Sequence, residues 1–264
     1  VTDGVGVWLY AVTRATDAAA GLDSITGVAG EPVRTLVSDA LAAFVGSVPL
    51  AVFGEQALRR NLEDLDWLAA TARAHDAVVS ALVRRGPTVP LRLATVFLDD
   101  DRVRELLDAR RADFTAALTL VTGRTEWGVK AYTDRAALTA AVADARAAGM
   151  GAEKGRGTAY LARRRAELSA QATVERDAAQ RAEEIHANLV RHSVAGRRQA
   201  ATDPALSGRR DWMVLNGTYL VDDDHADDFA AIVDELGKEL PGVRLEITGP
   251  WPPYSFAGVD QEPI

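Results

Sequence analysis

The sequence predicts an α+β protein of two domains. Compact runs rich in β-formers alternate with longer segments whose apolar residues recur at helical spacing. That alternation restarts after Gly123. At 264 residues the chain has the length for two modest domains, each with its own buried core. The expected division is residues 1–122, residues 123–248, and a C-terminal strap over residues 249–264.

The first domain opens with Gly6-Val7-Trp8-Leu9-Tyr10-Ala11-Val12, a run suited to a buried strand. Val33 to Val37 and Leu41 to Val45 flank Ser38-Asp39-Ala40 and read as a hairpin. A helix is expected from about Leu62 to Arg84, with Leu65, Leu68, Ala72, Val79 and Leu82 on its apolar face. Gly86-Pro87 ends it, and Val89-Pro90-Leu91-Arg92-Leu93 reads as a short strand. Asp99-Asp100-Asp101 then places acids at the positive end of another helix, whose apolar positions run from Val103 to Val121.

The second domain begins with the strand Glu126 to Tyr132. Thr125, Glu126 and Lys130 could make a buried polar cluster there, but charged residues on a strand usually face water, and that is the expectation for Glu126 and Lys130. Thr133-Asp134 caps a helix to about Ala148, and the glycine-rich stretch Gly149 to Gly157 leads into a long charged helix over about 158–192. Arg197 to Arg210 reads as a loop, Trp212 to Val221 as a strand, Asp224 to Gly237 as a helix, and Val243 to Thr248 as the closing strand. Each half thus alternates a few strands with two helices, as ferredoxin-like sandwiches do.

On the long helix Leu161, Leu168, Ala172, Ala179, Ala182, Ile185 and Leu189 form a narrow seam. Arginines and glutamates alternate around it. Such a helix either lies over its own sheet or packs along a partner. The strap poses a similar choice. Its prolines Pro250, Pro252 and Pro253 bar it from a helix or a central strand. Its aromatics Trp251, Tyr254 and Phe256 each need apolar cover. It therefore seals a core of its own protein or docks another one. The candidate partner-binding residues are Trp251, Tyr254 and Phe256 on the strap, with Tyr160, Leu161 and Leu168 on the helix.

Composition narrows the functional classes. The formal charge of −8 disfavours non-specific nucleic-acid binding, and residues 211–264 carry twelve acidic against two basic side chains. Only Lys130, Lys154 and Lys238 are lysine, so the abundant arginine reads as compositional bias. No apolar run reaches the roughly 20 residues of a bilayer span, and no secretory signal is visible. A cytoplasmic address without membrane contact is expected. With no cysteine the chain has neither disulfides nor thiolate chemistry.

Catalytic motifs are lacking too. His186 and His192, six apart on one helix, are related by about 240° of rotation, so they point roughly 120° apart, poor geometry for sharing a metal. His225 lies among Asp222, Asp223, Asp224, Asp227 and Asp228, a cluster that offers either a divalent-cation site, and with it a metal-dependent enzyme, or helix capping. Lacking the glycine and distal glutamate of a calcium loop, it reads as capping. The glycines from Gly149 to Gly157 fit neither the dinucleotide nor the Walker spacing. The expectation is a protein that is not an enzyme, with no cofactor and no metal.

Six segments in order resemble the gas vesicle protein F/L family. They are Val7-Trp8-Leu9-Tyr10, His75 on the first long helix, and Val89 to Phe97. Gly123 with Glu126 to Lys130 and Gly157-Thr158-Ala159-Tyr160-Leu161 come next, and Leu245 to Phe256 closes the series. One departure stands at Leu93-Ala94, where the family more often has an aromatic residue and glycine. The resemblance implies a cytoplasmic, gas-vesicle-associated assembly factor or minor structural component. Its implied partners are the small hydrophobic shell protein and other gas vesicle accessory proteins. The alternative is a small-molecule-binding or sensory protein built from paired ferredoxin-like domains.

Overall fold

The computed structural model describes residues 4–18, 22–135, 138–139, 156–200, 211–240 and 242–258, with side chains undescribed at 23 and 156–171. The chain divides into two compact units. One comprises residues 1–126 together with 250–264, the other residues 127–249.

In the first unit β1 (Val5–Arg14) is buried along almost its whole length. The hairpin β2 (Arg34–Ser38) and β3 (Leu41–Pro49) turns at Asp39-Ala40 and pairs antiparallel. Short helices α1 (Leu50–Phe53) and α2 (Glu55–Asn61) lead into α3 (Leu65–Val83). The Asp64 carboxylate caps α3, accepting the N–H groups of Asp66 and Trp67 at 3.0 and 3.1 Å. The core face of α3 carries Thr71, His75, Val78, Val79 and Leu82, while Leu65 is exposed. The expected strand over Val89 to Leu93 is shorter, and its partner lies further on. β4 (Val89–Pro90) and β5 (Val96–Phe97) both pair with β1, giving the order β2-β3-β1-β4 with β5 beside β1.

Two irregularities shape this sheet. Leu9 faces Val45 and Ala11 faces Phe44, so Tyr10 is the extra residue of a bulge in β1. On its other side, Ala11 faces Pro90 while Trp8 faces Val96. Three steps along β1 therefore match six along the returning chain, and residues 91–95 loop out between β4 and β5. Ala94 sits in that loop at φ 67.

A single helix expected up to Val121 is two, α4 (Asp100–Ala109) and α5 (Arg111–Val121), broken where Arg110 adopts φ −111 and ψ 24. Its apolar pattern Val103, Leu107, Phe114, Leu118 continues across the break, so the sequence reads as unbroken. Asp99 caps α4 by accepting the Arg102 N–H at 2.9 Å. Arg34 grips Asp100 with two bonds of 2.9 and 2.6 Å, tying β2 to this helix and holding the Asp100 carboxyl below its ordinary range.

In the second unit the elements are β6 (Arg124–Thr133, which begins in the first unit), α6 (Arg156–Arg191), β7 (Ala195–Arg198), β8 (Trp212–Asp222), α7 (Ala226–Glu239) and β9 (Val243–Trp251, whose last two residues belong to the first unit). The sheet order is β7-β8-β6-β9. The helix expected from Thr133-Asp134 to about Ala148 falls mostly outside the described residues. Arg197 and Arg198, expected in a loop, close the short edge strand β7. One core joins Val129 and Ala131 of β6, Leu215, Tyr219 and Val221 of β8, and both helices.

On α6 the described seam is Val174, Ala178, Ala182, Ile185 and Leu189. Ala172 and Ala179, expected in the seam, are exposed. The steps of four, four, three and four follow the 3.6-residue period more closely than the expected spacing, which drifts around the helix. β9 also runs three residues further than expected, through Pro250 to Trp251. As an edge strand it tolerates a residue without an N–H.

Candidate functional site

The strap is built by proline. After β9, Pro252 and Pro253 are buried and a 3-10 turn follows at Tyr254–Phe256. That turn closes its own backbone bonds, from Tyr254 N–H to the Pro252 carbonyl at 2.8 Å and from Phe256 N–H to the Pro253 carbonyl at 3.1 Å. The strap sits on the first unit. Phe256 is 1% exposed and Ala257 is buried. Tyr254 lies half-buried with its ring 6.4 Å from that of His75.

Glu126 fastens it. Expected to face water, this side chain is buried, because its carboxylate accepts the Ser255 N–H at 2.8 Å and the Ser255 hydroxyl at 2.7 Å. A buried carboxylate is tolerable when such bonds replace its hydration. The seat thus draws on α3 through His75, on α5 and on the first residues of β6. Burial and the nearby Asp76 charge both push the Tyr254 hydroxyl above its usual pKa.

Beneath the seat is a polar cluster that sequence reasoning did not single out. The Trp8 indole N–H donates to His75 Nδ1 at 3.0 Å, so Nδ1 is the acceptor and Nε2 carries the hydrogen. Nε2–H in turn meets the Leu91 carbonyl at 3.1 Å. Burial drives the His75 pKa down to about 4, against a smaller upward pull from that carbonyl. His75 is therefore neutral at physiological pH. Tyr10, brought here by its bulge, stacks on His75 at 5.5 Å and donates to Glu31 Oε1 at 2.5 Å. It also accepts the Val28 N–H at 2.9 Å. Desolvation and the Glu31 carboxylate raise the Tyr10 pKa. These buried groups satisfy one another. The readable signal was His75 itself, which recurs at helical spacing with Val79 and Leu82 and must therefore find partners in the core.

The predicted partner-binding residues part company. Phe256 is an internal anchor and Tyr254 is half-covered, whereas Trp251, at the end of β9, is 49% exposed. Tyr160, Leu161 and Leu168 lie along α6, at positions whose side chains fall outside the described residues.

In the second unit His186 Nδ1 is bonded to the Tyr219 hydroxyl at 2.9 Å, and burial together with Arg198 lowers its pKa. An open groove of about 610 Å³ runs past Arg191, His192, Val194, His225, Phe229 and Ile232. Asp223, Asp224 and His225 form a 3-10 turn, and Asp227 and Asp228 open α7. Among the described residues, no three His, Asp or Glu side chains are grouped as a metal would require. No helix among them is long and apolar enough to cross a membrane.

Residues 6–258 match the family described as gas vesicle synthesis protein GvpL/GvpF. Gas vesicle protein L of Streptomyces sp. (strain CB03234) is 43% identical over 261 residues, covering 97% of this chain and 94% of that one. Gas vesicle protein F of the same organism is 30% identical over 231 residues, covering 86% and 88%. The crystal structure of GvpF from Anabaena sp. PCC7120 superposes with a TM-score of 0.69 over 98% of both chains. At 17% identity that likeness shows the fold alone.

Proposed function

The chain belongs to the gas vesicle synthesis protein GvpL/GvpF family, and on that premise we propose that it is an assembly factor or minor structural component that binds the small hydrophobic shell protein. The observation that carries the reading is the family match along nearly the whole chain, supported by a relative named gas vesicle protein L at 43% identity. A protein whose subunits polymerise into a gas-filled wall must expose apolar surface, which invites aggregation until it is built in. A helper needs apolar ground to cover that surface and a charged remainder to keep the complex dispersed. Trp251 and the α6 positions Tyr160, Leu161 and Leu168 are the proposed ground. The acidic stretch over residues 211–264 is the proposed solubilising remainder. On this reading the protein acts by binding, works at gas vesicles, and makes or breaks no covalent bond.

Both units are read as ferredoxin-like. The second supports this with the element order strand, helix, two strands, helix, strand and the sheet order β7-β8-β6-β9. The first has the equivalent order β2-β3-β1-β4, with short 3-10 turns in place of the first crossover helix.

Capture of purified shell protein tests the function. Trp251→Ala is expected to weaken capture by at least tenfold, as truncating an exposed aromatic anchor does. The paired substitution Leu161→Ser with Leu168→Ser is expected to do likewise. Undiminished capture by both variants would sink the proposed surfaces. Normal vesicles in a host lacking the gene and its relatives would sink the function.

A further inference from the structure

We propose that the strap's seat on the first unit is also a docking surface for the strap of a second copy, so that two chains associate by exchanging residues 250–258. The seat and the segment come from opposite ends of the sequence, since the first unit is residues 1–126 completed by 250–264. The contacts described for the seat pass between these two pieces: Phe256 in its buried site, the Ser255 bonds to Glu126, and Tyr254 beside His75. An exchanged pair repeats each of them twice, with the same surface on both copies, as a two-fold interface requires.

The strap's own construction favours this. Its 3-10 turn satisfies its backbone locally, and its prolines hold the segment near its seated shape after detachment. It therefore loses little conformational freedom on rebinding. The chain passes from the second unit to the strap's unit inside β9, at Gly249, with φ 129, and Pro250, where a change of direction is accommodated by glycine. Within one chain the strap meets its seat at an effective concentration on the order of millimolar. Exchange thus competes where copies are gathered at comparable density.

The test uses the absence of native cysteine. A Cβ built on Gly258 lies 4.0 Å from the Ala117 Cβ, within the disulfide range of about 3.5–4.5 Å. Two full-length variants, Ala117→Cys and Gly258→Cys, are mixed at about 1 mM, diluted and oxidised. The expected result is a covalent heterodimer at least tenfold above that from mixing Ala117→Cys with Glu239→Cys. Adding Ser255→Ala to the Gly258→Cys chain removes the hydroxyl bond to Glu126 and is expected to speed cross-linking several-fold, because release is the slow step. A heterodimer at control level, or a rate unmoved by Ser255→Ala, overturns the proposal. Should cysteine at the positive-φ position 258 prevent folding, sedimentation of the unsubstituted chain decides. Its mass is expected to double toward millimolar concentration, and a strictly monomeric chain there overturns the exchange.

Discussion

His75 is a base that the fold keeps from being one. Its two ring nitrogens are committed in opposite senses, accepting from Trp8 and donating to Leu91, so a second proton would set two donors against each other. Folded His75 titrates near 4 against an unfolded value of 6.5. Between those values the unfolded chain holds the extra proton, so stability falls as pH drops through that window. The integrated loss is about 3 kcal/mol. Urea unfolding at pH 7.5 and 4.5 should show most of this loss in the wild type and a flatter response in His75→Gln, whose amide offers one donor and one acceptor but does not titrate. Parallel pH responses would contradict a His75 held neutral by burial. Ala94 offers the opposite case. Its φ of 67 crowds a Cβ that glycine lacks, at the place where the sequence resemblance already marked glycine as usual. Ala94→Gly is expected to stabilise by about 0.5–1 kcal/mol, read as a higher urea midpoint at unchanged slope. Gly46 is constrained from the other side. A Cβ there would come within 2.1 Å of Glu31 Oε1, so Gly46→Ala should displace Glu31 from Tyr10 and lower the melting temperature.

Elements were legible where pattern and backbone agree. The opening strand, the hairpin, α3 and the closing strands announce themselves through periodicity, and Asp64 and Asp99 cap as short polar side chains at helix starts do. The failures share a cause. A bulge at Tyr10, a loop at Ala94 and a break at Arg110 are single-residue departures in backbone angle or pairing, and none interrupts the apolar pattern. Glu126 was misjudged for a related reason. A carboxylate on a strand usually faces water, and only the strap returning from far along the chain supplies its donors. That clasp is testable at the scale of the element. Glu126→Ala leaves the Ser255 N–H without this acceptor, at a cost of about 1–3 kcal/mol. Limited chymotrypsin digestion should then cut at Tyr254 and Phe256 sooner than in the wild type, while cleavage within β8 stays unchanged. Equal cutting rates at the strap would refute the clasp.

At the scale of the molecule, sequence order and spatial order disagree. The terminal strap, last in the chain, belongs with its beginning: residues 250–264 complete the unit of residues 1–126. No local signal announces that return, because prolines and aromatics say only that a segment is stiff and needs cover. The seat also carries a cost that appears before folding is complete. Synthesis proceeds from the amino end, so the piece that closes the first unit leaves the ribosome after the whole of the second. At usual elongation rates that delay is on the order of ten seconds. Throughout it the nascent chain presents the bare Phe256 site beside an unclasped carboxylate. Premature chain release, or translation stalled before the strap emerges, should therefore damage the half of the protein made first.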